Sequence, residues 1–159
     1  MNGSDEKFMR EALLLAEEAA RDGEVPVGAV VVHDGRIIGR GRNRREKGKN
    51  ALAHAEIEAI NEACGSLGGW RLPGCTLYVT LEPCPMCAGA ALNARVGSCV
   101  IALKDSASGA FGSVIDLNKY PLNHKSTVKY GVLENESRKL LQEFFERLRK
   151  SREDKNHRR

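Results

Sequence analysis

Between Thr76 and Leu103 the chain reads as strand, helix and strand, and this run constrains the fold more than any other feature. Thr76–Leu81 (TLYVTL) and Ser98–Leu103 are short runs rich in apolar and β-branched residues, as strands require. The stretch between them, Cys84–Ala94, opens at prolines 83 and 85 and continues in helix formers. A helix joining two strands of one sheet makes them parallel, because the chain must cross back over the sheet before it can pair again. A second strand-helix-strand unit lies upstream. Val25–His33 and Arg36–Gly41 form a hairpin about Asp34-Gly35, and Ala53–Ala63 follows as a helix. A first helix is expected from a Ser4 cap to Arg21, with Phe8, Ala12, Leu15, Ala16 and Ala19 on one face. Gly65–Gly74 reads as loop. Lys129–Leu133 is the candidate fifth strand, and Asn135–Arg149 is an amphipathic helix. The class is α/β: a three-layer domain with a mixed five-stranded sheet. Lys104–Val128 lacks periodicity and is too long for an idle connection, so it is read as a substrate-facing loop.

Size and composition narrow the setting. A chain of 159 residues with 42% hydrophobic content suits one compact domain, placed at residues 1–150. The longest apolar run, Val25–Val32, contains Pro26 and Gly28, so no membrane span is expected. The acidic start lacks the basic region of a signal peptide, which points to a cytoplasmic protein. Five cysteines in such a domain fit metal or redox chemistry better than a disulfide framework. The net charge of +4 is unevenly spread. Residues 1–35 carry three basic against eight acidic residues, and residues 36–49 carry seven against one. Residues 146–159 carry seven basic against three acidic, and 151–159 is expected to be a disordered basic tail. Two basic blocks on a near-neutral body suggest a polyanion partner, most commonly nucleic acid. A solvated helix end is the plainer account of the second block.

The chemistry is concentrated in His54-Ala55-Glu56 and Pro83-Cys84-Pro85-Met86-Cys87. Cys84 and Cys87 are three apart, so in a first helical turn both sulfurs face one way and can hold one metal ion. The helix N-terminus favours the thiolate form that binds zinc. His54 can supply a third ligand, and three protein ligands leave the fourth tetrahedral position to water, the mark of a catalytic zinc. Residues two apart on a helix point about 200 degrees from one another. His54 and Glu56 therefore share a site only if His54 stands at the helix edge. So placed, Glu56 could take the proton of the activated water without ligating the ion, which is the apparatus of hydrolytic deamination. Cys-x-x-Cys after a strand is also how a thioredoxin-like redox site looks, and the accompanying His-x-Glu weighs against that. A structural zinc would need a fourth ligand from Cys64, Cys75 or Cys99. Each is isolated, and a free Cys in or beside a strand is most often core filling.

The pair His-x-Glu and Pro-Cys-x-x-Cys matches the zinc deaminase signature. With EVPVGAVVV, the Asn43 of GRGRNR, AHAEIEAI, LPGCTLYVTLEPCPMCAGA, the GAFGS loop and ESRKLLQEFFERLR, the chain from about Phe8 to Arg149 resembles the bacterial tRNA-specific adenosine deaminases (TadA family). These belong to the cytidine/deoxycytidylate deaminase superfamily. The resemblance implies a cytidine-deaminase-like α/β/α fold and a homodimer that converts the wobble adenosine of a tRNA anticodon loop to inosine. By motif, His54, Cys84 and Cys87 would bind one Zn2+ per chain, Glu56 would shuttle protons, and Asn43 would contact the purine. Val27 would line the pocket, and Asp105 would face the nucleotide backbone. Lys104 and Arg42 depart from the residues usual in the family. Of Phe144 and Phe145, one can face the core and the other RNA. Two further functions compete: a deaminase of a free base or nucleoside of guanine or cytosine type, and a non-enzymatic RNA-binding module with structural zinc. The basic blocks and long last helix argue against the first, and the open coordination sphere beside Glu56 argues against the second.

Overall fold

The computed structural model describes residues 3–158. Its elements are α1 (Gly3–Arg21), β1 (Gly28–His33), β2 (Arg36–Arg42), the single turn α2 (Arg45–Gly48), α3 (Ala55–Leu67), β3 (Cys75–Leu81), α4 (Pro85–Asn93), β4 (Ser98–Leu103), β5 (Thr127–Tyr130) and α5 (Glu134–His157). The strands form one sheet in the order β2-β1-β3-β4-β5. β1 runs antiparallel to β2 and β3, while β3, β4 and β5 are mutually parallel, the outcome that the α4 crossover demands. Side-chain alternation sorts the strands onto two cores. Ala29 and Val31 of β1 face α3 and α4, with Leu77, Val79 and Ile101. Val30 and Val32 face α1, with Phe8, Met9, Tyr78 and Val100, and Leu140 of α5 packs against the same cluster. The result is the three-layer α/β/α architecture. No helix among the described residues is long and apolar enough to cross a membrane.

Small residues let α3 approach the sheet closely and so bring its N-terminus to the candidate site. A Cβ on Gly41 would lie 2.0 Å from the Ala55 carbonyl oxygen and 2.7 Å from the Ala59 nitrogen, both backbone atoms of α3. Backbone cannot swing aside as a flexible side chain can. Gly41→Ala is expected to cost about 3 kcal/mol by overpacking and to lower the melting midpoint by about 10 °C. A melt matching wild type would contradict this close packing.

Several boundaries differ from those read in the sequence. The first helix starts at Gly3, ahead of Ser4. β1 begins at Gly28, since Val25–Val27 is instead a tight turn closed by the Val27 N–H on the Val25 carbonyl, with Pro26 at its centre. α3 starts at Ala55 and runs through Gly65 to Leu67. β5 occupies Thr127–Tyr130 because its register is imposed by pairing with Ser98–Ile101 of β4 and not by its own composition. α5 continues to His157, where a disordered tail was expected from residue 151; no Gly or Pro follows Arg149 to stop it. The 104–128 segment is compact. Phe111 is buried, bridges to Asp116, and precedes a 3-10 turn at Leu117–Lys119.

Candidate active site

The N-termini of α3 and α4 meet beside the C-terminal end of β3. His54 is the N-cap of α3 with extended backbone (φ −84°, ψ 151°), so it stands outside regular helix geometry while Glu56 lies in the first turn. Cys84 is the N-cap of α4 (φ −69°, ψ 172°), Pro85 fills the first helical position, and Cys87 completes the turn. His54 Nδ1 lies 3.8 Å from Cys84 Sγ and 3.6 Å from Cys87 Sγ. All three ligand atoms fall within 4.8 Å of one another. Zinc bonds of about 2.0–2.3 Å at tetrahedral angles separate neighbouring ligand atoms by about 3.5 Å, so this donor set fits the ion in both chemistry and spacing. Among the described residues, no fourth His, Cys, Asp or Glu joins the group. Cys64, Cys75 and Cys99 are free thiols elsewhere; Cys99 is fully buried in the core. A hydrogen bond with Cys87 draws the Cys84 thiol down to about 5. Cys87, donating to that sulfur and buried, is held well above the ordinary thiol range. A cation held between them would supply the positive charge that makes both thiolates favourable.

Glu56 is buried, 4% exposed, and burial pushes its carboxyl up to about 7 against the opposing hydrogen bonds from its own backbone and Cys87. Glu56, His54 and Cys84 line one cavity of about 110 Å³. Val27, Asn43 and Asp105 line it too, so the structure brings all seven residues singled out by sequence to one place, six on the cavity wall and Cys87 against Glu56. The Asn43 side chain has a structural duty as well: Nδ2 donates to the Val25 carbonyl at 3.1 Å, and Oδ1 accepts from the Ala55 N–H at 3.1 Å. One amide hydrogen and one lone pair remain for a ligand. The Asp105 carboxylate accepts from the Ala107 and Ser108 N–H groups and the Ser108 hydroxyl, which shapes its own loop.

Three features escaped the sequence reading. Glu82, 2% exposed, is a buried carboxylate on the cavity wall. Glu24, equally buried, accepts from the Glu46 and Lys47 N–H groups at 2.9 Å each and anchors α2. Three of the seven basic residues at 36–49 are paired within the protein. Arg42 pairs with Glu18 and Asp22 at 3.2 Å each, Arg44 with Glu58 at 2.6 Å, and Lys47 with Asp22 at 2.9 Å. The readable signal was the acidic excess of residues 1–35, which supplies much of the opposing charge. Arg45 is exposed and borders the cavity. Phe144 is buried at 8% and Phe145 is 40% exposed, packed edge-on with centroids 5.3 Å apart.

The sequence profile of the MafB19-like deaminase family matches residues 3–149. A tRNA-specific adenosine deaminase of Bacillus subtilis is 48% identical, over 93% of this chain and 92% of that protein. A solved structure from work on A-to-I editing by tRNA:A34 deaminases at the wobble position of transfer RNA superposes with a TM-score of 0.83 and 44% identity, covering 85% of this chain and 99% of that one. A guanine deaminase from Nitrosomonas europaea superposes with a TM-score of 0.73 and 29% identity, covering 87% and 83%.

Proposed function

The chain belongs to the tRNA-specific adenosine deaminase family and has its three-layer cytidine-deaminase-like fold, and from that premise we propose that it converts the wobble adenosine of a tRNA anticodon loop to inosine by hydrolytic deamination. The observation that carries this reading is the convergence of His54, Cys84 and Glu56 on a cavity of about 110 Å³. Sites for whole drug-sized ligands run to about 300–1,000 Å³. This recess suits one ring system with sugar and phosphate left outside, as when a loop base is splayed out for chemistry.

His54, Cys84 and Cys87 would hold one zinc ion per chain, whose chemistry when bound would be to lower the pKa of a water to near neutral. Glu56 would take one proton from the attacking water and pass it to the ring nitrogen beside the amino-bearing carbon, then take the remaining hydroxyl proton and pass it to the amino group, which leaves as ammonia while the new carbonyl forms. Its burial suits it to both tasks near pH 7. Asn43 offers its remaining hydrogen and lone pair to the purine, Val27 packs on the ring, and Asp105 stands at the nucleotide-backbone side. Assembly as a homodimer is part of this reading. A cytoplasmic setting is part of the same proposal.

Ammonia release from free adenosine, guanine, cytidine and an anticodon stem-loop tests the assignment, and the stem-loop adenosine is expected to react fastest. Deamination of guanine ahead of the stem-loop would favour the free-base alternative, which draws support from the likeness to the Nitrosomonas europaea guanine deaminase.

RNA binding is proposed for α5 and Arg45, since Arg42 and Arg44 already have carboxylate partners in Glu18, Asp22 and Glu58. Arg147, Lys150, Lys155 and Arg158 border one groove along α5. Removing residues 151–159 is expected to weaken stem-loop binding. It should flatten the slope of log affinity against log salt by about 0.7 for each phosphate that is no longer neutralised, at unchanged zinc content. An unaltered slope would make this segment a solvated helix end only.

A further inference from the structure

The strand that leads into Cys84 ends beside a buried carboxylate for which the chemistry above has no use. Glu82 follows β3 directly and stands two residues before Cys84. Its Oε1 accepts from the Asp105 N–H at 3.1 Å and from the Ser113 hydroxyl. Its Oε2 accepts from the Phe111 and Ser113 N–H groups, each at 3.1 Å. All four donors lie on the segment after β4, 23 to 31 residues away in sequence. A carboxylate out of water needs such donors. The dependence is mutual: the segment satisfies the charge, and the charge holds the segment.

The backbone makes the same joint. The Glu82 N–H donates to the Leu103 carbonyl at 2.8 Å, and the Ala110 N–H donates to the Pro83 carbonyl at 2.9 Å. Gly109 passes so near that a Cβ there would lie 2.3 Å from the Glu82 carboxylate. Between these anchors the segment carries Asp105 and Ser108 onto the wall of the cavity that Glu56 and Cys84 also line.

We propose that Glu82 is a positioning residue that sets the separation between the Cys84 turn and the Asp105–Ser113 wall, and thereby the fit of the substrate nucleotide. The identity of that nucleotide rests on the function proposed above; the joint itself does not. In Glu82→Gln, an amide NH2 replaces one acceptor oxygen and confronts two donors. Ser113→Ala removes one arm at an exposed position and serves as the milder variant.

The experiment combines zinc analysis, amide hydrogen exchange, and KM and kcat on an anticodon stem-loop. Glu82→Gln is expected to keep its zinc, to speed exchange at Asp105, Phe111 and Ser113 while β3 and α4 stay protected, and to raise KM about tenfold with kcat within about threefold. Ser113→Ala should shift the same amides and KM in the same direction, by about twofold. Unchanged KM and protection in both variants would overturn the proposal. So would a loss of protection across the whole chain in both, which would make Glu82 a staple of the fold at large. A fall in kcat at constant KM would overturn it too, by placing the effect on the Cys84 turn. If wild type ignores the stem-loop, the substrate reading fails, and the same amide and KM comparison made with free guanine decides the role of Glu82.

Discussion

Glu56→Ala is expected to keep its zinc and its fold while losing turnover by about 100- to 10,000-fold, the usual worth of a general acid-base group. The large end is anticipated because one carboxyl handles more than one proton transfer in each cycle. Glu56 is buried beside the three ligand atoms without belonging to their group, and burial has already pushed its carboxyl up to about 7. A small cavity in the first turn of α3 should leave the helix in place, since the sheet is gripped by Ala55, Ala59 and Ala63 and not by Glu56. Metal analysis and turnover on the same preparation separate the roles. Loss of zinc together with activity would make Glu56 a ligand and the proton-shuttle mechanism wrong.

Cys87→Ala should behave in the opposite way, losing metal and activity together and falling to the uncatalysed background. With His54, Cys84 and Cys87 the whole donor group among the described residues, no spare side chain can substitute for the missing thiolate. Structural sites tolerate such a change no better, so the discriminating measurement concerns the open position. Cobalt-substituted wild type should report three protein ligands and an exchangeable water. Four protein ligands, or wild-type protein purified without zinc, would end the catalytic-metal reading.

The local elements were legible because their causes are local. Pro83 and Pro85 mark the start of α4, Asp34-Gly35 marks the hairpin, and the crossover from β3 to β4 leaves only a parallel arrangement. The candidate metal ligands were legible for a similar reason. Cys-x-x-Cys places two sulfurs on one helical turn wherever the turn sits, and His-x-Glu shares a site only with His54 at a helix edge, where the structure has it.

What depended on the tertiary structure has in common that its partners are distant in the chain. Glu82 meets donors 23 to 31 residues on, and no periodicity or spacing rule links a carboxylate to backbone amides of an irregular segment. Arg42 of the basic block at 36–49 looked available to a polyanion until folding set it against Glu18 and Asp22 on α1 and the loop after it. Phe144 and Phe145 are equivalent as residues, and only the packing of α5 on the sheet chose Phe144 for the interior. By itself, then, the sequence determined the order of the main elements, the parallel core of the sheet and the candidate metal-binding side chains, since short-range sterics and hydrogen bonding act within a few residues. Tertiary structure alone decided which charges pair with one another and which residues wall the cavity, because desolvation and long-range pairing exist only once the chain has closed on itself.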